Sequence, residues 1–174
     1  MEQQFQYYAF ISYKREDEKW AKWLQDRLRW YKLPSKLCRQ ITRLPKKVWP
    51  VFRDNTDLDS GRLEENIRHE LERSHYLIVI CSPEAARSPW VGKEVKYFAT
   101  LHGADKIIPF VVSGIPYSND IETECIHEQI KAISQEELLA INVREEGIGS
   151  FAMKKKRAFI RVVARLLDIK FNTL

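Results

Sequence analysis

The chain has 174 residues, 44% hydrophobic and 30% charged, proportions that exclude a disordered or fibrous protein. That length supports one domain, taken as 1–174, with a substantial core. The net charge of +5 favours anions in general, a phosphate-bearing ligand among them, without requiring nucleic acid.

No apolar run approaches the roughly 20 residues that span a bilayer, and residues 1–6 show no leader pattern. Cys38, Cys81 and Cys125 are widely spaced and odd in number. They predict reduced thiols in a cytoplasmic setting, with Cys81 a small core residue.

In chain order, 7–13 is an aromatic and β-branched run that predicts a first strand. Asp17 is placed to cap the next helix. There Trp20, Leu24, Leu28 and Tyr31 form a buried stripe that Trp23 and Trp30 broaden, and Pro34 ends it. Residues 32–47 read as a long, basic, solvated loop. A second strand over 48–53 is placed at an edge, or at its own start, by Pro50. A polar turn over 54–61 leads into a helix with Leu63, Ile67 and Leu71 on one face. The continuous apolar run 76–81 fits a central strand buried on both sides.

Ser88-Pro89 opens the next helix, with Ser as N-cap and Pro in the first turn. Residues 106–112 and 138–143 read as fourth and fifth strands, and 113–135 as loop with one short helix. A last helix over 151–168 turns Phe159, Val162, Val163, Leu166 and Leu167 inward and leaves Lys154–Arg157 solvated. Strands alternating with helices predict an α/β, flavodoxin-like parallel sheet with helices on both faces.

In such sheets, ligands bind beyond the carboxyl ends of the strands. Here those ends carry Ser12-Tyr13-Lys14-Arg15, Arg53-Asp54-Asn55 and Ser82-Pro83-Glu84, with the Ser88 helix opening nearby. Cations, hydroxyls and a positive helix end at one rim suit an anionic nucleotide. Trp90 and Glu94 lie one turn apart on a shared helix face, beside a core-directed face of Val91, Val95 and Phe98. On spacing alone, the plainer reading of Glu94 is a surface carboxylate paired with Lys93 or Arg87, and of Trp90 an anchor for the helix start. No P-loop is present, and Gly147-Ile148-Gly149 lacks the third glycine of a dinucleotide fingerprint. His69, His75, His102 and His127 show no metal-ligand spacing. Ser82 and Ser88 lack a visible His and Asp arrangement for nucleophilic catalysis.

Three pieces occur in order: Phe10-Ile11-Ser12-Tyr13; then Phe52-Arg53-Asp54 ahead of Leu58 and Gly61; then Cys81-Ser82-Pro83 followed by Ser88-Pro89-Trp90-Val91-Gly92-Lys93-Glu94. Together they resemble the three boxes of the Toll/interleukin-1 receptor (TIR) domain family, from about residue 7 to residue 112 and more weakly through the last helix. The resemblance implies a five-stranded parallel sheet. It also implies a mobile loop at 54–61, containing Asp57, Leu58 and Gly61, that gates a nucleotide site or mediates TIR–TIR contacts. Many members cleave NAD+ into nicotinamide and ADP-ribose or a cyclic ADP-ribose, and their catalytic glutamate falls on Glu94. Phe10, Ser12, Lys14 and Arg15 match the family's pocket-lining segment, although Phe10 on general grounds reads as sheet core. With Trp90, Arg53 and Asp54 they make up the expected substrate-binding set. Arg53 and Asp54 could instead pair with each other or order the loop.

The chemistry is consistent with one carboxylate. Nicotinamide leaves NAD+ as a neutral amine, so no general acid is needed and the usual glycosidase pair reduces to one group. That group grips ribose hydroxyls and stabilises positive charge at the anomeric carbon. NAD+ is then substrate, and no cofactor or metal is expected. The expected partners are NAD+, further TIR domains through self-association, and an effector that senses a cyclic product, in cytoplasmic bacterial antiviral immunity. The alternative is a non-catalytic TIR–TIR interaction module. A phosphoacceptor receiver domain is disfavoured, because its central strand should end in Asp and this one ends in Cys81-Ser82.

Overall fold

The computed structural model describes residues 4–54, 61–134, 139–144 and 148–174, with no side-chain description for 61–63. The elements in chain order are β1 (Tyr7–Ser12), α1 (Glu18–Trp30), α2 (Ser35–Gln40), β2 (Val51–Arg53), α3 (Gly61–Glu72) and β3 (Ser74–Cys81). They continue with α4 (Pro83–Ala86), α5 (Pro89–His102), β4 (Ile107–Val111), α6 (Glu128–Ile133), β5 (Ile141–Asn142) and α7 (Phe151–Leu167). The strands form one parallel sheet in the order β2-β1-β3-β4-β5. This is the flavodoxin-like arrangement, with β2 at an edge and the apolar β3 at the centre.

Alternation along each strand sorts the core into two layers. Ala9, Ile11, Ile78, Ile80, Ile108 and Phe110 pack with Leu24, Leu28, Leu37, Val162 and Val163 of α1, α2 and α7. Their neighbours Phe10, Leu77, Val79, Ile107 and Val111 pack with Ile67, Leu71, Val91, Val95, Phe98 and Ile130 of α3, α5 and α6. Cys81 and Cys125 are buried free thiols in the second layer. The five apolar residues expected inward on α7 are all buried.

Several expectations need correction. Trp30 is 74% exposed and so adds little to the buried stripe. The basic stretch 32–47 is not plain loop: it holds α2, and Leu33, Leu37 and Leu44 are buried beneath its charges. Asp17 makes no side-chain cap to α1. It is buried and accepts a hydrogen bond from Ser82 Oγ at 2.5 Å, which ties the loop after β1 to the end of β3. Lys155 is not free in solvent either, because its Nζ sits 4.9 and 4.4 Å from the ring centroids of Trp20 and Trp23. The fifth strand is only two residues long, and residue 138 of its expected span lies outside the described residues.

The connection before α6 is built on one buried carboxylate. Glu124 accepts from the backbone N–H groups of Tyr117 (3.0 Å), Asn119 (3.1 Å) and Ile126 (2.9 Å), and from Lys131 Nζ at 2.8 Å. These donors hold its pKa down to about 2 against the opposing effect of burial. The short helix expected within 113–135 is α6. Among the described residues, no helix is long and apolar enough to cross a membrane.

Candidate active site

The site begins with helix α5. Ser88 caps it by accepting from Val91 N–H at 3.3 Å, and Pro89 occupies its first turn, both as the sequence predicts. With side chains advancing about 100° per residue, Val91, Val95 and Phe98 fall on one side of Glu94 and enter the core. Trp90, Tyr97, Lys93, Thr100 and Lys96 fall on the other. Glu94 therefore stands where the buried face meets the open one.

Its first turn is held from outside by His127. The ring accepts the Gln129 N–H at Nδ1 (3.0 Å), so Nε2 carries the proton and donates to the Ser88 carbonyl at 2.9 Å. Burial pushes the imidazole pKa down, which keeps this neutral form. The ring lies so close to the helix that a Cβ on residue 92 would come within 2.5 Å of His127 Cε1. Gly92 is what permits the approach.

Glu94 is only 4% exposed, so it is not the surface carboxylate paired with Lys93 or Arg87. Ser12 Oγ, at the end of β1, donates to its Oε1 at 3.1 Å. Oε2 has no hydrogen-bond partner among the described residues. Burial first, and then the nearby Asp54, push its pKa well above the usual carboxylate range, while the Ser12 hydroxyl pulls it down. A buried, half-satisfied acid is costly to fold, and such groups concentrate at functional sites.

Strand alternation decides which residues join it. Ser12 follows Ile11, which faces α1, and so turns toward α5. On β2, Arg53 is paired with Ile11 and turns toward α1, where its Nε donates to Gln25 Oε1 (3.0 Å). Its Nη1 donates to Tyr13 OH (3.0 Å) and lies 3.5 Å from Glu18 Oε1. Arg53 is thus a tether to α1. The Tyr13 hydroxyl donates to the Asp54 carbonyl, which fixes the end of β2. Phe10 is fully buried and stacked on Phe52 with centroids 5.1 Å apart; it is sheet core and reaches no open surface. Lys14 is half-buried and Arg15 exposed in the loop after β1. Gly61 begins α3, whereas Asp57 and Leu58 lie outside the described residues.

Glu94 is among the residues lining a cavity of about 330 Å³ between α3 and α5. Ile67 and Leu71 supply apolar lining, Trp90 and Tyr97 aromatic lining, and Arg68, Lys93 and Lys96 cations, with Glu64 a second acid beside Glu94 among the described residues. A flat ring fits against Trp90, and a cation or sugar hydroxyl against Glu94. Lys14, Arg15 and Arg53, expected from the sequence to meet the nucleotide, do not line this cavity; Lys93, Lys96 and Arg68 do. The cue for them was present: residues 93, 96 and 97 share the helix side of Trp90.

A TIR domain family model matches residues 9–146. The chain is 36% identical over 110 residues to a protein of Actinoplanes sp. named NAD(+) hydrolase ApTIR. That match covers 62% of this chain but 14% of the relative, so the chain corresponds to a small part of it. Among solved structures, the TIR domains of the activated Roq1 resistosome recognising the effector XopQ match at 18% identity and a TM-score of 0.40, over 59% of this chain and 55% of that one.

Proposed function

Because the chain belongs to the TIR domain family, we propose that it cleaves the nicotinamide–ribose bond of NAD+. The observation that carries this is Glu94: a buried carboxyl with one oxygen unpartnered among the described residues, lining a cavity together with Trp90. The similarity to an NAD(+) hydrolase supports the same reading.

In the reaction, the bond between the ribose anomeric carbon and the pyridinium nitrogen breaks, and its electron pair leaves with nicotinamide. Trp90 packs against the departing group or the sugar. Glu94, ionised once the cationic substrate lies beside it, stabilises the positive charge that develops on the ribose. Ser12 holds Oε1 in place and leaves Oε2 for the ribose hydroxyls. Water then adds its oxygen to the anomeric carbon and releases a proton, giving ADP-ribose; attack by a group of the same molecule gives a cyclic product instead. NAD+ is substrate here, not cofactor.

The reading extends to self-association with further TIR domains and, for a cyclic product, to an effector that senses it in bacterial antiviral defence. The test is incubation of the purified chain with NAD+ at high protein concentration, following nicotinamide release. Turnover abolished by Glu94→Ala is expected. No turnover, or turnover indifferent to that change, removes the assignment.

A further inference from the structure

The border of the α3–α5 cavity has a chemistry that cleavage at Glu94 does not use. Lys93 and Lys96 are exposed, and neither is ion-paired among the described residues. Arg68 stands across from them on α3, its Nη2 3.2 Å from Glu64 Oε1 and its guanidinium 5.3 Å from the centre of the Tyr97 ring. Three cations and the Glu64 carboxylate thus line a cavity that the buried acid Glu94 also lines. Like charges gathered at a concave mouth focus a positive potential there. An unpartnered Lys pair beside an Arg is a fitting receptor for a doubly charged phosphate group.

Size points the same way. About 330 Å³ is at the low end of small-molecule pockets and holds a ring and its sugar, not a whole dinucleotide. With the ring on Trp90 and the sugar at Glu94, the next group along the ligand has the cations that line the same cavity as its neighbours. The loop after β1, where Lys14 and Arg15 lie, contributes nothing to that border.

We infer that Lys93 and Lys96, aided by Arg68, bind the diphosphate of the dinucleotide and so set the enzyme's requirement for a diphosphate-bearing substrate. This rests on the NAD+ reading for its ligand, but the anion site is testable without turnover. ADP-ribose is titrated into the whole chain by calorimetry, for the unaltered protein, for Lys93→Gln/Lys96→Gln, and for Lys14→Gln/Arg15→Gln. The expected result is a Kd raised about fivefold or more by the first pair and unchanged by the second. In turnover, the first pair raises KM for NAD+ with kcat nearly unchanged, the signature of lost uniform binding. Both lysines are exposed, and unfolding midpoints equal to the unaltered protein's identify the variants as folded.

A Kd shifted less than about threefold by the Lys93/Lys96 change, undetectable binding to the unaltered chain, or a loss that follows Lys14 and Arg15 instead overturns the inference. Lysine-dependent binding of ADP-ribose with no nicotinamide release would leave the anion site standing and remove the NAD+ cleavage reading.

Discussion

Replacing Gly92 by alanine sets helix propensity against packing, and the structure says which wins. Alanine is favoured over glycine in a helix by about 0.5–1 kcal/mol. The new Cβ, however, would stand 2.5 Å from His127 Cε1 and 2.8 Å from its Nε2, so the ring must rotate away. That forfeits its bonds to the Ser88 carbonyl and the Gln129 N–H, at about 1 kcal/mol each. Gly92→Ala is therefore expected to destabilise by about 1 kcal/mol, a fall of about 2–4 °C in Tm for a domain of this size. In a His127→Ala background the obstruction is gone, and the same change should stabilise by about 0.5–1 kcal/mol. Urea unfolding of the four proteins in the cycle gives the coupling, expected near 2 kcal/mol. Stabilisation by Gly92→Ala in the presence of His127, or an equal effect in both backgrounds, would refute the role given to the ring.

Glu94→Gln should lower nicotinamide release at least about a hundredfold while raising stability at neutral pH. The folded carboxyl titrates above its unfolded value, so its cost is absent below about pH 4.3 and grows as pH rises; Tm measured from pH 4 to 8 should show the variant's advantage growing in that direction. Ser12→Ala removes the one bond that lowers the Glu94 pKa and leaves both oxygens unpartnered. It should cost about 1–2 kcal/mol and move the acid limb of the kcat/KM profile to higher pH. Glu124→Gln should lose about 2 kcal/mol at neutral pH, through the Lys131 pair and the weakened backbone bonds. Glu124 titrates below its unfolded value, so its stabilisation is present above about pH 4.3 and is lost as pH falls toward 2. The difference between the two proteins in urea unfolding should close over that window.

Much of this was legible from the chain alone. The apolar strands β1, β3 and β4, the capped start of α5 and the inward face of α7 declare themselves by composition and period. So does the shared face of Trp90 and Glu94. Helix α2 was hidden because Pro34, Pro45 and many cations outweigh three leucines, of which only Leu37 lies in the helix. The bond from Ser12 to Glu94 spans 82 positions, and no local pattern contains it; it follows only once β1 is seated beside α5. The turn of Arg53 toward Gln25 and Glu18 of α1 is likewise non-local and follows only once β2 is paired with β1. Lys93 and Lys96 carry no local signal of a site; their place beside Glu94 in one cavity follows only once α3 packs against α5.

The alternation that brings Ser12 to Glu94 also makes the site a test of correct strand pairing. A slip of β1 by one residue would exchange the two layers, presenting Ile11 or Tyr13 to the acid and driving the serine hydroxyl among the leucines of α1. Helix content and compactness would change little in such a chain, and bulk spectroscopy would pass it as native. The hydroxyl–carboxyl contact exists in one register alone, so a misthreaded molecule carries its own marker of error.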